Sequence, residues 1–365
     1  MPQGPADAID PGALRRALVI KLRHHGDTLL AAPVFGALKA ASPALEIDAL
    51  VYDDTAPMLA GHPAIARLYT VGRGWRALDA LERIVAERRL FAELRARRYE
   101  LIVHLTEHPR GAWLARTLGA RHSVAPAVPG RGRLWAKSFT HLYRLPMNAR
   151  RHQVELNLDA LRRIGIQPAP QERRVTFVPG AEAEARVERL LAAEGLAARG
   201  FIHMHPASRW RFKCWPAEQS AALADRLAGA GHRVVLTAAP EPQERALVDE
   251  IVARAAAKPL NLAGQLDIKE LGVLTSRARL FVGVDSMPMH LAGAMGTPTV
   301  ALFGPSGELE WGPWRVPHRV VASREHACRP CGNDGCGGGK VSECLTTLPL
   351  EQVYAAVEEM MGEEV

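Results

Sequence analysis

Residues 17–27 read Ala-Leu-Val-Ile-Lys-Leu-Arg-His-His-Gly-Asp, and they indicate how this chain begins to fold. The first six residues form a nearly continuous apolar run, which is typical of a strand buried in a parallel sheet. Gly26 permits a tight turn, and a helical pattern opens at Asp27 and continues to Ala41. A strand that runs into a helix in this way predicts a βα unit.

The same alternation continues along the rest of the chain. In the first half it predicts strands at 17–22, 47–52, 65–71, 101–105 and 122–125, and helices at 27–41, 78–97, 109–118 and 152–164. In the second half it predicts strands at 201–205, 233–237, 260–263, 280–284 and 299–303, and helices at 216–230, 243–255, 268–278, 287–295 and 350–361. The segment 127–148, rich in Pro, Gly and Arg, predicts a long surface loop or a poorly packed helix pair.

The length of 365 residues is too great for one ordinary core, and the proline-rich segment 167–171 predicts a linker. We therefore expect two domains, 1–170 and 171–348, followed by a C-terminal segment 349–365 whose helix is a candidate to pack on the first domain. The fold class is α/β, with two doubly wound, Rossmann-like domains facing across a cleft. Ligands are expected at the carboxyl ends of the strands.

The composition favours a basic protein with an anionic partner. Lys and Arg number 46 against 39 acidic residues, and much of the excess lies in the first half. Nucleic acid, a membrane surface and an acidic glycolipid all fit this charge, as does a solvated basic face without a partner. No apolar run is long enough to span a membrane, and Asp7 and Asp10 are unlike a signal peptide, so a cytoplasmic protein is expected.

Three clusters of polar residues follow predicted strands. Asp27 is placed to act as a general base, although it is equally suited to capping its helix. The loop 205–216 reads His-Pro-Ala-Ser-Arg-Trp-Arg-Phe-Lys-Cys-Trp-Pro, and its cations suit a polyphosphate, or a solvated loop anchored by tryptophans. The segment 282–290, Val-Gly-Val-Asp-Ser-Met-Pro-Met-His, opens a helix whose free amides suit an anion. Its Asp285 and His290 are alternatively an N-cap and a core histidine.

Together, residues 19–27, 50–55, 213–216 and 285–290 resemble glycosyltransferase family 9, most nearly its lipopolysaccharide heptosyltransferase III branch. The resemblance covers nearly the whole chain after Ala17. It implies a GT-B fold, ADP-L-glycero-D-manno-heptose as donor, a lipopolysaccharide inner-core acceptor and inversion at the anomeric carbon. It implies no required metal or other cofactor, and a site of action in the cytoplasm, peripheral to the inner membrane.

The resemblance also implies roles for single residues, with the base in the N-terminal, acceptor-binding domain and the donor site in the C-terminal domain. The matching positions are Asp27 for the catalytic base, Ser208 and Lys213 for the donor phosphates, Asp285, Ser286, Met287 and His290 for the donor-binding turn, Leu266 beside the adenine, and Glu241 or Glu244 at the ribose. Ala207 stands where some relatives have a second hydroxyl, and Met287 replaces a smaller residue. From their charge, the candidates to hold the acceptor are Arg23, His24, His25, Arg121 and Lys137.

Four late cysteines leave another hypothesis open. Cys328, Cys331, Cys336 and Cys344 begin with a C-x₂-C spacing and are candidates for a structural zinc site or a reduced, thiol-lined loop. A non-catalytic nucleic-acid-binding protein with a zinc knuckle is the remote alternative, but the basic residues are scattered and lack stacking aromatics, so no nucleic-acid partner is expected. A dinucleotide oxidoreductase lacks its G-x-G-x-x-G motif. A family 9 transferase with a different sugar or acceptor position remains the nearer alternative.

Overall fold

The computed structural model describes residues 5–145 and 150–362. The chain divides between Val178 and Pro179 into two compact units, each built around its own parallel sheet. This division lies shortly after the proline-rich segment 167–171.

The first unit is organised around β1, the strand predicted from residues 17–22. Its strands are β1 Arg16–Ile20, β2 Glu46–Tyr52, β3 Arg67–Val71, β4 Leu101–His104, β5 His122–Ala127 and β6 His141–Arg144. In the described part of the chain they form one parallel sheet in the order β3-β2-β1-β4-β5-β6. Residues 17–20 of β1 are fully buried, as expected for a central strand covered on both faces.

Helices cover this sheet and return the chain to its amino edge after most strands, whereas β2 and β3 are joined by a segment with one short 3-10 turn, Ala56–Met58. They are α1 His25–Leu29, α2 Ala32–Ala41, α3 Ala80–Ala96, α4 Pro109–Thr117, α5 Gly132–Ala136 and α6 Gln153–Arg163. The segment expected as one helix from Asp27 to Ala41 is two helices. Pro33 lies in the first turn of α2, where its missing N–H costs little, and this favours a new helix start.

The second unit repeats this arrangement. Its strands are β7 Phe201–His205, β8 Arg233–Leu236, β9 Leu260–Asn261, β10 Leu280–Val284, β11 Thr299–Phe303 and β12 His318–Ala322. Within the described residues, their order is β12-β11-β10-β7-β8-β9 and all pairs are parallel. The helices are α7 Ala181–Ala193, α8 Ala217–Gly229, α9 Pro242–Arg254, α10 Ile268–Arg277, α11 Met287–Met295, α12 Glu308–Trp311, α13 Glu343–Thr346 and α14 Leu350–Gly362.

Each sheet has one edge strand that the sequence did not predict. β6 and β12 are only partly buried, because each pairs with a neighbour on one side. Their sequences therefore lack a strong apolar pattern. The segment 127–148, expected as a loop or helix pair, contains α5 and β6, and residues 146–148 lie outside the described part of the chain.

The C-terminal helix α14 packs within the second unit. Val353, Val357 and Met360 form one apolar stripe, which is buried in the core beside β10, β11, β12 and α8. The sequence had left open that this helix packs on the first domain. Its apolar face is instead part of the second core. No helix among the described residues has the length and apolar character needed to cross a membrane.

Candidate active site

The turn after β1 presents the carboxylate that the sequence singled out. Asp27 is the third residue of α1 and is partly exposed. The N-cap of α1 is His24, so the capping role considered for Asp27 does not apply. Because β1 ends at Ile20, Asp27 lies at the carboxyl edge of the first sheet. The chain passes from β3 to β4 across β1 at this point, and such topological switch points commonly bind ligands.

A buried lysine that sequence reasoning missed lies at the same turn. Lys21 is 2% exposed, and its Nζ donates to the Leu105 carbonyl at 3.3 Å and to Oδ1 of Asn157 at 3.0 Å. Nδ2 of Asn157 donates to the Leu30 carbonyl at 2.9 Å. Burial lowers the pKa of Lys21 to about 8, and the charge of Asp27 opposes part of this shift. The charge of Asp27 therefore favours the protonated form of Lys21. The feature of the sequence that could have identified Lys21 is a lysine at the end of an apolar strand.

The structure brings only some of the predicted acceptor residues to this edge. Residues 23–25 form the turn before Asp27. Arg121 directly precedes β5, and pairing across β4 places the start of β5 level with Ala17 in β1. Arg121 therefore lies at the opposite, amino edge of the sheet. Lys137 ends α5, shortly before β6 enters the sheet beside Val124, so it too is not part of the Asp27 turn.

Other arginines occupy the carboxyl edge. Arg73 follows β3, and its Nη2 donates to the Arg23 carbonyl at 2.8 Å while its Nε lies 2.5 Å from a carboxylate oxygen of Asp54. Arg131 follows β5 and donates to the Glu107 carbonyl at 2.9 Å. The sequence showed an excess of basic residues but did not show which edge each one occupies.

In the second unit, an ion pair joins the two predicted donor clusters. Nζ of Lys213 lies 2.6 Å from Oδ2 of Asp285. Lys213 comes from the loop after β7, and Asp285 directly follows β10. These strands are neighbours at the point where the chain changes direction across the sheet. Asp285 is buried, whereas about a quarter of the Lys213 side chain is exposed, so part of this lysine remains accessible.

The turn from β10 into α11 brings the N-terminus of a helix to the carboxyl edge of the second sheet. Ser286 is the N-cap of α11, so Asp285 is not, and Oγ of Ser286 donates to the Val284 carbonyl at 3.3 Å. The Met289 amide is used within the turn, since it donates to the Ser286 carbonyl at 3.2 Å. Residues 286 and 287 remain partly exposed at the positive end of the helix dipole. His290 is buried, with its ring 6.2 Å from that of Trp311, as in the core alternative.

The remaining donor candidates follow β7, β8 and β9 at the same edge. Oγ of Ser208 accepts from the Trp210 amide at 3.3 Å. Glu241 is the exposed N-cap of α9, whereas Glu244 is buried and accepts from the Ala239 amide at 3.4 Å. Burial raises the pKa of Glu244. Leu266 is partly buried and packs against an apolar cluster of the second unit.

A buried histidine pair supports the loop after β7. Nε2 of His203 and Nδ1 of His205 lie 2.7 and 2.8 Å from Oγ1 of Thr237, and Nδ1 of His203 lies 3.2 Å from Oγ1 of Thr275. Burial lowers the pKa of His205 to about 3 and that of His203 well below its ordinary value. Both rings are therefore neutral and link β7 to β8 and α10. This network was not predicted from the sequence, although two histidines in one apolar strand were its signal.

The cysteine-rich segment packs near the same edge. Cys328, Cys331 and Cys336 are exposed, and Cys344 is buried. The segment is held by the amide of Gly332, which donates to the Pro305 carbonyl at 2.9 Å after β11. Across residues 5–145 and 150–362, no three His, Cys, Asp or Glu side chains are grouped as they would be around a metal ion.

With this geometry, the chain also matches the family model of glycosyltransferase family 9 (heptosyltransferase) over residues 87–341. It belongs to this family and is a glycosyltransferase. Lipopolysaccharide heptosyltransferase 3 of Escherichia coli strain K12 is 34% identical over 346 residues, which cover 94% of this chain and 97% of that protein. The expected enzyme class is confirmed, and the nucleic-acid-binding alternative is left without support.

Solved structures show the same fold. A family 9 glycosyl transferase from Veillonella parvula has a TM-score of 0.82 at 22% identity, covering 98% of this chain and 99% of that one. The ADP-heptose lipopolysaccharide heptosyltransferase II of E. coli has a TM-score of 0.74 at 22% identity, covering 95% and 98%. The α/β fold of the GT-B type, expected from the sequence, is confirmed.

Proposed function

We propose that this enzyme transfers L-glycero-D-manno-heptose from ADP-heptose to a heptose of the lipopolysaccharide inner core, with inversion at the anomeric carbon. The identity of 34% along nearly the whole chain with a lipopolysaccharide heptosyltransferase 3 supports this acceptor class. The description of the E. coli heptosyltransferase II that shares the fold names ADP-heptose. The observation that carries the proposal is the Lys213–Asp285 pair, at the switch point of the second sheet.

The donor diphosphate binds at this pair. Asp285 holds the Lys213 ammonium at 2.6 Å beside the N-terminus of α11, so a cation and helix amides face one place. A point charge and a helix terminus suit a diphosphate, and Ser208 adds a hydroxyl from the neighbouring loop. As the bond from C1 to the phosphate oxygen breaks, these groups stabilise the charge that develops on ADP. Because Lys213, Ser208 and the helix amides provide this stabilisation, we expect that no metal or other cofactor is required.

The nucleoside binds further along the same edge. Of the two candidate glutamates, Glu244 holds the ribose hydroxyls. Its carboxylate accepts from the Ala239 amide and so lies near the end of β8, at the carboxyl edge of the sheet. Glu241 is exposed at the start of α9. Leu266, after β9, contacts the adenine. His290 supports the donor turn from the core and does not contact the nucleotide.

Asp27 acts as the general base. Its carboxylate takes the proton of an acceptor hydroxyl, whose oxygen then forms a bond to C1 of the heptose while ADP leaves from the opposite face. The buried ammonium of Lys21 lies at the same turn and interacts with the charge of Asp27. Residues 23–25 bind anionic groups of the inner core, together with Arg73. Arg121 and Lys137 are not included, because they lie away from this turn.

The enzyme works in the cytoplasm, peripherally on the inner membrane, where a soluble nucleotide sugar and a lipid-linked acceptor meet. Its formal charge of +7 fits an anionic acceptor and an anionic membrane surface.

The test is single-turnover transfer from ADP-heptose to purified inner-core acceptors that carry one or two heptoses, with and without chelator. We expect transfer to the two-heptose acceptor, unaffected by chelator. Transfer to the shorter acceptor alone would assign a different acceptor position within the family. Consumption of another nucleotide sugar in place of ADP-heptose would refute the donor.

A further inference from the structure

Helix α3 of the first unit has apolar residues on two opposite sides. Leu90 and Leu94 are buried against the sheet. Leu81 and Val85 each precede one of them by nine positions, about two and a half helical turns, so they face away from the core. Their exposed fractions are 76% and 66%. Packing within the first unit therefore does not account for these side chains.

Neighbouring apolar side chains extend this exposed surface. Ile84 is 48% exposed on the adjoining side of α3, and Leu78 is 37% exposed just before the helix. We call Leu78, Leu81, Ile84 and Val85 the α3 patch. Single exposed apolar residues are ordinary on a protein surface, but three in the first two turns of one helix, with a fourth just before it, indicate a surface that contacts another molecule.

The position of the α3 patch relates it to the Asp27 turn. Because β3 ends at Val71 on the carboxyl edge, the first turns of α3 begin at that edge. Arg73, between β3 and α3, donates to the Arg23 carbonyl. The α3 patch is thus attached to the same edge as the proposed base.

Arginines lie beside the α3 patch and indicate what kind of surface it binds. Arg88 and Arg89 are exposed on the same side of α3 as Leu81 and Val85, and the Arg89 side chain is 82% exposed, with its Nε 3.2 Å from a carboxylate oxygen of Glu93. The helix has four arginines against three glutamates, and Glu87 is engaged by Arg110 of α4. Leucine and valine with arginines beside them are typical of helices that lie in the interface of an anionic bilayer, with the cations at the level of the headgroups.

We infer that the α3 patch inserts into the surface of an anionic phospholipid bilayer. Leu81 and Val85 enter the boundary between headgroups and acyl chains, and Arg88 and Arg89 bind lipid phosphates. The biological purpose rests on the proposed function, since this contact holds the Asp27 turn near a lipid-linked acceptor. The bilayer contact itself does not require that function.

The first experiment is co-sedimentation of the full-length protein with vesicles of phosphatidylglycerol and phosphatidylethanolamine, or of phosphatidylcholine alone. We expect binding to the anionic vesicles that weakens with salt. The double variant Leu81→Ser/Val85→Ser should bind about tenfold or more weakly, because two buried apolar side chains are lost. Leu309→Ser, at a side chain of the second unit that is 62% exposed, is the matched control and should bind like the wild type.

Three outcomes would overturn the inference. These are wild-type protein that does not bind anionic vesicles, a double variant that binds as well as the wild type, and a double variant whose mass in solution falls by half, which would make the α3 patch a contact between two copies. Circular dichroism confirms that each variant is folded.

Transfer to a delipidated, soluble inner-core acceptor separates this inference from the proposed function. The double variant should keep the wild-type kcat/KM on that acceptor and lose rate only on acceptor embedded in vesicles. If the wild type binds vesicles but does not use either acceptor, the proposed function fails and the bilayer contact stands.

Discussion

At the scale of single residues, each unit has one pair of opposite charges among its candidate site residues. Lys213 and Asp285 form a direct contact, whereas Lys21 is bound by neutral groups and interacts with Asp27 through its charge. The first arrangement leaves a partly exposed cation for a ligand. The second places a buried cation at the turn that carries a partly exposed carboxylate.

Replacing Asp27 by Asn should lower kcat by about 10²–10⁴-fold, because general-base assistance is lost. ADP affinity should stay within about twofold, since the proposed donor residues belong to the second unit. Single-turnover kinetics and ADP titration calorimetry measure the two effects. Wild-type turnover in Asp27→Asn would remove this residue from the role of base.

The pKa of Lys21 predicts how stability depends on pH. Below pH 8 the lysine is charged in both folded and unfolded states, and the cost of its burial is fully present. Above about pH 8 the folded state releases the proton first, so the free energy of unfolding rises with pH until the unfolded lysine also titrates. Between pH 7 and 10, wild-type protein should gain about 2 kcal/mol relative to Lys21→Met in urea unfolding.

Asp27 provides the control for this measurement. Its charge opposes the lowering of the Lys21 pKa, so in Asp27→Asn the rise should begin at a lower pH. A wild-type minus Lys21→Met difference that does not change with pH would contradict the argument.

Substitutions of the two glutamates at the start of α9 should have different effects on ADP binding. Glu244→Gln should weaken ADP binding by about tenfold, because a charged acceptor for ribose hydroxyls is lost. Glu241→Gln, on the exposed N-cap, should leave ADP affinity unchanged. Titration calorimetry compares the two variants directly, and a larger effect for Glu241→Gln would exchange their roles.

At the scale of elements, the site depends on where strands end. Ser208, Lys213 and Asp285 lie in loops after β7 and β10, which are neighbours in the sheet although distant in sequence. Helix α14 packs against β10, β11 and β12. It therefore supports β10, the strand that ends at Asp285.

The packing of α14 can be tested by a single truncation. Val357→Ala should destabilise the second unit by about 2 kcal/mol, since Val357 is fully buried and its removed methyl groups leave a cavity. Gln352→Ala, on the exposed side of the same helix, is the control and should change stability by less than about 0.5 kcal/mol. Thermal or urea unfolding measures both, and equal effects would mean that α14 does not contribute to the core.

At the scale of the whole molecule, charge distinguishes the two substrates. The excess of basic residues is exposed, whereas the cation proposed for the donor, Lys213, is mostly buried. Salt screens exposed charges more than buried ones. Higher ionic strength should therefore weaken the binding of the acceptor more than the binding of the donor.

Raising NaCl from 50 to 300 mM, values chosen so that the Debye length falls by roughly half, should increase the acceptor KM several-fold more than the donor KM. Steady-state kinetics with each substrate varied in turn measures this difference. Equal salt sensitivity for both substrates would count against an acceptor bound by exposed basic residues.

Much of the fold could be predicted from the sequence, because buried parallel strands are apolar throughout and alternate with amphipathic helices. β10 and β11 were predicted with the bounds that the structure has. The edge strands β6 and β12 were missed, since a strand that pairs on one side needs no strong apolar pattern. The break between α1 and α2 was missed as well, because the periodic pattern continues across it.

Local patterns were enough to predict the α/β class, the family, and the polar clusters at strand ends. Which of these residues meet depends on contacts that are visible in the folded chain alone. The tertiary structure joined Lys213 to Asp285, brought Asn157 to Lys21 beside the Asp27 turn, and placed Arg121 at the opposite edge. The reason is physical: such contacts join residues far apart in the chain, and the order of strands in each sheet determines which strand ends are neighbours.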